Sequence, residues 1–374
     1  MKISFLSVFP PFRGGISKHS SLIYKYLLKK HEVQALNFSK LYPSIFFPGK
    51  TQYDSKVQTI GDRVLSSTNI LSWNKTEKKI RKYNTYVFII KFCHPFFIPC
   101  YNYIIKKVKK NINCKVVMIC DNLFPHEYFP LSKFLIKQII RNVDGFIVQS
   151  SIVEDELKSL LESPVYSKKY HPIYDGYEKG INMVEAKAKL SINESKVVLF
   201  FGLVRKYKGL DILIKSMNEV FKKVSDVKLL IAGECYGKKD EYLKLINESK
   251  FKNKIYWIEE FIPEKKIPIL FSACDVVVLP YRTASQSGVI PLSYHYNKPV
   301  ITSNIKSLVE VVDNGKTGHI YNSESDLKLT ILDFFDKYDG QLYENSIKEY
   351  KKSLSWDSFI DGIEEVYLKL NETA

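Results

Sequence analysis

No C-x-x-C pair occurs among the six cysteines of this 374-residue chain (Cys93, Cys100, Cys114, Cys120, Cys235 and Cys274), and none has a histidine at zinc-ligand spacing. Thioredoxin-like redox chemistry and zinc modules are thereby excluded, and reduced thiols are expected. No D-x-D occurs either, so nothing in the sequence asks for a divalent cation. G-x-G-x-x-G and G-x-x-x-x-G-K-[ST] are both missing, which removes the dinucleotide fingerprint and the P-loop. The most apolar stretch, residues 86–105, is broken by Lys91, His94, Pro95 and Pro99, whereas a spanning helix needs about 20 uninterrupted apolar residues. The amino-terminal apolar run ends at Pro10 and Pro11, too short for a signal-peptide core, and is expected to form a first strand. Acidic residues are scarce in one half only. Residues 1–180 hold 28 Lys and Arg against 13 Asp and Glu, a net +15, and the remaining residues are nearly balanced at +1.

What is present is the composition of a folded protein, 45% hydrophobic and 14% aromatic. The length suits two domains rather than one. Strand-like runs alternate with helical ones, the pattern of α/β units on parallel sheets. The expected strands are 2–8, 32–37, 86–91, 115–120 and 145–148 in the first half, and 196–201, 227–232, 254–258, 276–279 and 300–302 in the second. Residues 40–74, rich in Pro, Ser and aromatics without clear period, are expected to be an irregular excursion, and 170–190 a hinge. The domain limits expected are 1–180 and 181–352, with 353–374 a final helix. Two doubly wound Rossmann-like domains facing a cleft is the fold class expected. Ligands of such sheets bind beyond the carboxyl ends of the strands.

Four turns there carry candidate chemistry. Gly14 and Gly15 follow the first strand and open a helix, where free N–H groups suit phosphate or sugar oxygens, although a glycine pair also serves simple tight turns. Asp121 follows the strand 115–120, with His126 and Glu127 just beyond. Such groups can orient a hydroxyl, or they can be an Asx turn with a capping pair. Arg205, Lys206 and Lys208 crowd the start of the helix beginning at Leu210, where like charges repel one another and the helix dipole unless an anion joins them. A diphosphate fits that turn. Gln286, Ser287 and Gly288 follow the strand 276–279 and offer an amide for sugar hydroxyls and backbone N–H groups for phosphate.

From Lys208-Gly209 through Pro280, Pro299-Val300 and Glu310 to Gly315-Lys-Thr-Gly318, the second half resembles in order and spacing the family 4 retaining glycosyltransferases, enzymes of GT-B architecture. Gly14-Gly15 and Ser355-Trp356 extend the resemblance over nearly the whole chain. It implies transfer of a sugar from a nucleotide diphosphate sugar to an acceptor hydroxyl, with the last helix crossing back to the first domain. Arg205, Lys208, Asp121 and His126 would then be catalytic, and Gly14, Gly15, Gln286, Ser287, Gly288, Lys306 and Glu310 would bind the donor.

The departures are specific. The family's paired glutamates would fall on Ala284 and Leu292, its phosphate-binding Arg on Leu203, two residues before Arg205, and its Gly-Gly on Lys306-Ser307. The chain is similar to a divergent bacterial subgroup that pairs an R-x-Y-K-G turn with a Q-S-G loop. A non-catalytic pseudoglycosyltransferase or another GT-B enzyme, such as an epimerase or a phosphorylase, stays open. No cofactor or metal is expected. The basic first half predicts an anionic membrane surface as partner of a cytoplasmic protein acting on a glycan or lipid-linked acceptor. Lys106, Lys107, Lys109 and Lys110, beside Phe96, Phe97 and Tyr101, are the expected contact. Nucleic acid is not expected, since no recognition motif accompanies the charge.

Overall fold

A computed structural model describes residues 1–42, 51–54, 57–125 and 129–372. The chain divides into two compact units, Met1–Pro172 with Ser355–Ala374, and Ile173–Leu354. The first boundary therefore falls at Pro172, eight residues before the expected limit at 180, and the carboxyl-terminal segment starting at Ser355 packs with the first unit.

The first unit is built on a seven-stranded parallel sheet of order β3-β2-β1-β4-β5-β6-β7. Its strands are β1 (Lys2–Leu6), β2 (Glu32–Lys40), β3 (Asp62–Ser66), β4 (Val87–Phe92), β5 (Lys115–Cys120), β6 (Gly145–Val148) and β7 (Val165–Lys168). Helices α1 (Gly15–Leu27), α2 (Ile70–Lys82), α3 (Ile98–Asn111), α4 (Ser132–Ile140) and α5 (Ser151–Leu160) connect them. Every residue of β4 is buried, as a central parallel strand covered on both faces requires. One face is covered by α2, α3, α4 and α5, whose Ile80, Ile104, Ile139 and Leu157 join Phe88, Met118 and Phe146 in a single core.

The second unit holds a six-stranded parallel sheet of order β10-β9-β8-β11-β12-β13. These are β8 (Lys196–Phe201), β9 (Val227–Ala232), β10 (Ile255–Ile258), β11 (Val276–Leu279), β12 (Val300–Ser303) and β13 (Gly318–Tyr321). The helices are α6 (Met183–Lys189), α7 (Leu210–Lys223), α8 (Lys239–Glu248), α9 (Ile267–Ala273), α10 (Val289–His295), α11 (Lys306–Val309), α12 (Leu327–Asp336) and α13 (Gly340–Tyr350). Strand order reverses between β1 and β4 in one sheet and between β8 and β11 in the other. Those two reversals are where open α/β sheets leave a crevice for ligands.

Three strands, β3, β7 and β13, are missing from the sequence expectation, and each lies at a sheet edge. β3 falls inside the segment read as irregular, because of its five residues only Leu65 is buried and no alternation marks it. β7 likewise buries only Ser167. The expected hinge contains α6, seven residues long, which packs on α9.

The final helix α14 (Trp356–Glu372) lies on β5, β6 and β7. Its approach is close because Gly145 offers no side chain: a Cβ there would sit 2.3 Å from Val366 Cγ1. Gly145→Ala is expected to cost about 1–3 kcal/mol by overpacking, read as a lowered urea midpoint. Adding Val366→Ala should recover part of that loss, and an unchanged midpoint in the single variant would contradict the close packing.

Candidate active site

In the second unit the turn after β8 is set by backbone contacts that only glycine permits. Gly209 adopts φ 67°, and a Cβ on it would lie 1.9 Å from the Pro280 carbonyl oxygen. The residues between, Lys206–Lys208, form one turn of 3-10 helix that hands over to α7. The turn is clamped to the loop after β11 by Arg282. Its backbone N–H donates to the Tyr207 carbonyl at 2.7 Å, and its guanidinium binds both Asp211 oxygens at 2.8 and 2.7 Å and the Lys206 carbonyl at 3.0 Å. Arg282 is thus a structural fork rather than a group offered to a ligand.

The three cations of this turn point different ways. Lys206 is exposed. Arg205 lies over the Tyr236 ring at 5.4 Å. Lys208 turns inward, its ammonium 5.6 Å from the Tyr281 ring and 3.2 Å from where a Cβ of Gly202 would be. Among the described residues no carboxylate pairs with it. Desolvation first, and the charge of Arg205 second, pull Lys208 down to about 8. The arrangement is a cationic corner at the amino terminus of a 14-residue helix, with one ammonium uncompensated.

Facing it across the strand reversal is the loop 284–288. The Ala284 carbonyl accepts from Ser307 Oγ at 2.7 Å, and the Tyr281 carbonyl accepts from Ser303 Oγ at 2.7 Å. Ser287 Oγ accepts from the Val289 N–H at 3.3 Å. A Cβ on Gly288 would lie 2.9 Å from the Tyr174 hydroxyl, so no side chain fits there. Gln286 holds a buried amide oxygen with no hydrogen-bond partner. Ala284 and Leu292, where the resemblance would place carboxylates, are 3% and 4% exposed and belong to the core. Lys306 opens the four-residue α11 and Glu310 caps it. Glu234, just beyond the carboxyl end of β9 and 4% exposed, was not marked by any sequence pattern.

In the first unit Gly14 caps α1 with φ 107°, no side-chain cap, and no atom within 4 Å of a Cβ placed on it. Asn37 holds the preceding loop, accepting from the Phe9 N–H at 3.1 Å and donating to the Pro10 and Ile60 carbonyls at 2.9 and 3.0 Å. Asp121 lies at the carboxyl end of β5, ion-paired with the buried Lys91 of β4 and accepting from Gln149 Nε2 at 2.7 Å. His126 and Glu127 fall outside the described residues. Phe97 and Tyr101 are fully buried, and Phe96 packs against the same core. The aromatic part of the expected membrane contact is therefore interior. Lys107 is bonded to Asn74 and Lys109 to Asp144. Hollows of about 390 and 570 Å³ lie beside Lys109–Lys115 and along β7, away from the strand reversals.

Among the described residues no cluster of three or more His, Cys, Asp or Glu is placed to hold a metal ion, and no helix is long and apolar enough to cross a membrane.

Residues 195–336, which include the cationic turn and the loop 284–288, match the family described as Glycosyl transferases group 1. An uncharacterized glycosyltransferase of Methanocaldococcus jannaschii is 25% identical over 249 residues, 64% of this chain and 64% of that protein. Spore coat protein SA of Bacillus subtilis is 24% identical over 402 residues, 99% of this chain and the whole of that one. The solved structure of Anabaena HepE in complex with UDP-glucose superposes with a TM-score of 0.74 at 14% identity, covering 100% of this chain and 99% of that chain. The fold is GT-B. The chain is a glycosyltransferase enzyme carrying a group 1 domain in its second unit.

Because Lys208 is held down to about 8, its cationic form is present below that pH and lost above it. Affinity for inorganic pyrophosphate, measured by calorimetry, is expected to fall as pH rises through about 8, with proton uptake on binding near that value. Lys208→Arg should flatten the profile. A flat profile in the unmodified protein would separate Lys208 from the anion site.

Proposed function

We propose that this enzyme is a retaining glycosyltransferase that takes its sugar from a nucleotide diphosphate sugar, without a metal, and passes it to an acceptor hydroxyl of a glycan or lipid-linked substrate in surface polysaccharide or glycolipid assembly. The observation that carries the donor assignment is the uncompensated Lys208 ammonium beside Arg205 at the start of α7, within the group 1 match. Negative charge grows on the departing diphosphate as the glycosidic bond breaks, and fixed cations stabilise it without reorganisation. Arg205 and Lys208 take that role. The Ser287–Gly288 backbone and Gln286 hold the donor in a loop that keeps its place without the family's paired glutamates, as in the subgroup with an R-x-Y-K-G turn and a Q-S-G loop. The UDP-glucose bound by HepE supports a nucleotide sugar as donor class.

The acceptor side of this reading rests on charge. Helices α2, α3 and α4 lie side by side on one face of the first sheet and carry eleven Lys and Arg against one Glu, Glu77, while α5 on the same face adds Lys158 and the acids Glu154, Asp155 and Glu156. On the other face α1 and α14 carry three Lys against five acids. Exposed Ile70 and Leu71 at the start of α2, and Leu131 and Phe134 at the start of α4, add apolar tips at the carboxyl edge of the sheet. That face suits the anionic inner surface of a cytoplasmic membrane, where each Lys near the lipid contributes about 1 kcal/mol.

Arg205→Ala and Lys208→Ala are each expected to lower kcat/KM by about 10²-fold or more, the range for losing one preorganised donor to a developing anion, with unchanged circular dichroism. Normal turnover in both variants would remove the diphosphate assignment, and absence of any donor turnover in the unmodified protein would favour a pseudoenzyme.

Docking is expected on vesicles containing phosphatidylglycerol and not on neutral ones, weakening as salt shortens the screening length below about 8 Å. Replacing Lys106, Lys110, Lys133 and Lys137 with Gln should release most of the protein, and Leu131→Ser with Phe134→Ser should release it at low salt. Equal sedimentation with neutral vesicles would leave the acceptor soluble.

A further inference from the structure

Sequence pattern marks Lys91 only as a break in an apolar run. In the fold it is the fifth residue of β4, 1% exposed, beside the strand reversal between β1 and β4. An ammonium buried without partners is strongly destabilising, so its surroundings define its role. Its Nζ donates to Asp121 Oδ1 and, at 2.9 Å, to His19 Nδ1 in α1. Lysine only donates, so His19 Nδ1 carries the lone pair and its proton sits on Nε2. Burial, the stacked His171 and Lys91 itself hold His19 well below its ordinary range, so the histidine adds no charge. Gln149, 2% exposed and just beyond β6, gives Asp121 Oδ1 a second hydrogen bond at 2.7 Å.

Two buried donors from two elements therefore converge on one oxygen of one carboxylate, and a third element fixes the donor between them. Among the described residues Asp121 Oδ2 accepts no hydrogen bond, and the Asp121 side chain retains 12% exposure. A structural ion pair alone would leave no reason for both bonds to fall on the same oxygen while the other stays available at the ligand edge of the sheet.

We propose that Lys91 is a positioning residue for sugar transfer: with Gln149 it anchors Asp121 through Oδ1 and presents Oδ2 to a hydroxyl of the bound sugar substrate. This rests on the glycosyltransferase reading. Asp121 is the group that meets substrate, Lys91 acts only through it, and His19 keeps the ammonium from turning away.

The test is a double-mutant cycle on the full-length enzyme, using release of the nucleoside diphosphate from a panel of UDP- and GDP-sugars. Lys91→Met and Asp121→Asn are each expected to lower kcat about 10-fold or more, as for losing a positioned polar group, with donor KM changed less than about threefold. The double variant should be no slower than the slower single one, because residues acting as a unit are not additive. Gln149→Met, which keeps the ion pair and leaves no buried charge unpaired, should give a smaller loss that vanishes in the Asp121→Asn background. Losses that multiply in the double variants, or that only follow a falling melting temperature, would overturn the proposal while leaving the transferase reading intact. An unmodified enzyme inert toward the whole panel would overturn both.

Discussion

The approach of Gly209 to the Pro280 carbonyl is the contact on which the second unit's site depends. With a Cβ excluded at 1.9 Å and the backbone in the left-handed region, the turn after β8 has one position relative to the loop after β11. Arg282 then holds both sides, and Ser303 and Ser307 brace the loop from the next strand and helix. The result is a backbone frame in which Lys208 turns inward and meets no carboxylate among the described residues. Desolvation, and after it the charge of Arg205, account for its lowered pKa.

Much of the fold was legible because parallel strands buried on both faces read as continuous apolar runs. β5, β6, β8, β9 and β11 coincide with the expected ranges, and β4 differs by one residue at each end. The edge strands β3 and β7 were not legible, since a strand covered on one side only, with one buried residue in each, carries no periodic signal. Nor was the packing of Phe97 and Tyr101 legible. Aromatics next to lysines in sequence suggested a common surface, but Phe97 in the 3-10 turn Pro95–Phe97 and Tyr101 in α3 are buried in the core while Lys106, Lys109 and Lys110 of α3 are exposed.

For the site, the motifs located the turns and the fold assigned the side chains. Lys206 and Lys208 are equivalent in sequence, yet one faces solvent and the other the strand reversal, a difference decided by a single turn of 3-10 helix. Arg282, equally basic, is spent on Asp211. Lys91, His19 and Gln149 could not be found by pattern, because their partnership joins residues 28 to 72 apart through three strands and a helix.

The two strand reversals solve one electrostatic problem in opposite ways. Both place a cation at the carboxyl edge of a parallel sheet, beside helix amino termini whose dipoles are already positive. In the first unit the positive end is neutralised internally: Lys91 has Asp121, and its histidine neighbour is kept uncharged by burial. In the second no carboxylate among the described residues pairs with Lys208, and Ala284 in the facing loop and Leu292 shortly after it in sequence are buried apolar side chains. A neutral, hydrogen-bonded pair is suited to orienting a hydroxyl, whose own charge changes little on binding. An ammonium that no carboxylate among the described residues pairs is suited to a group that gains negative charge as its bond breaks, since the field is in place before the charge appears.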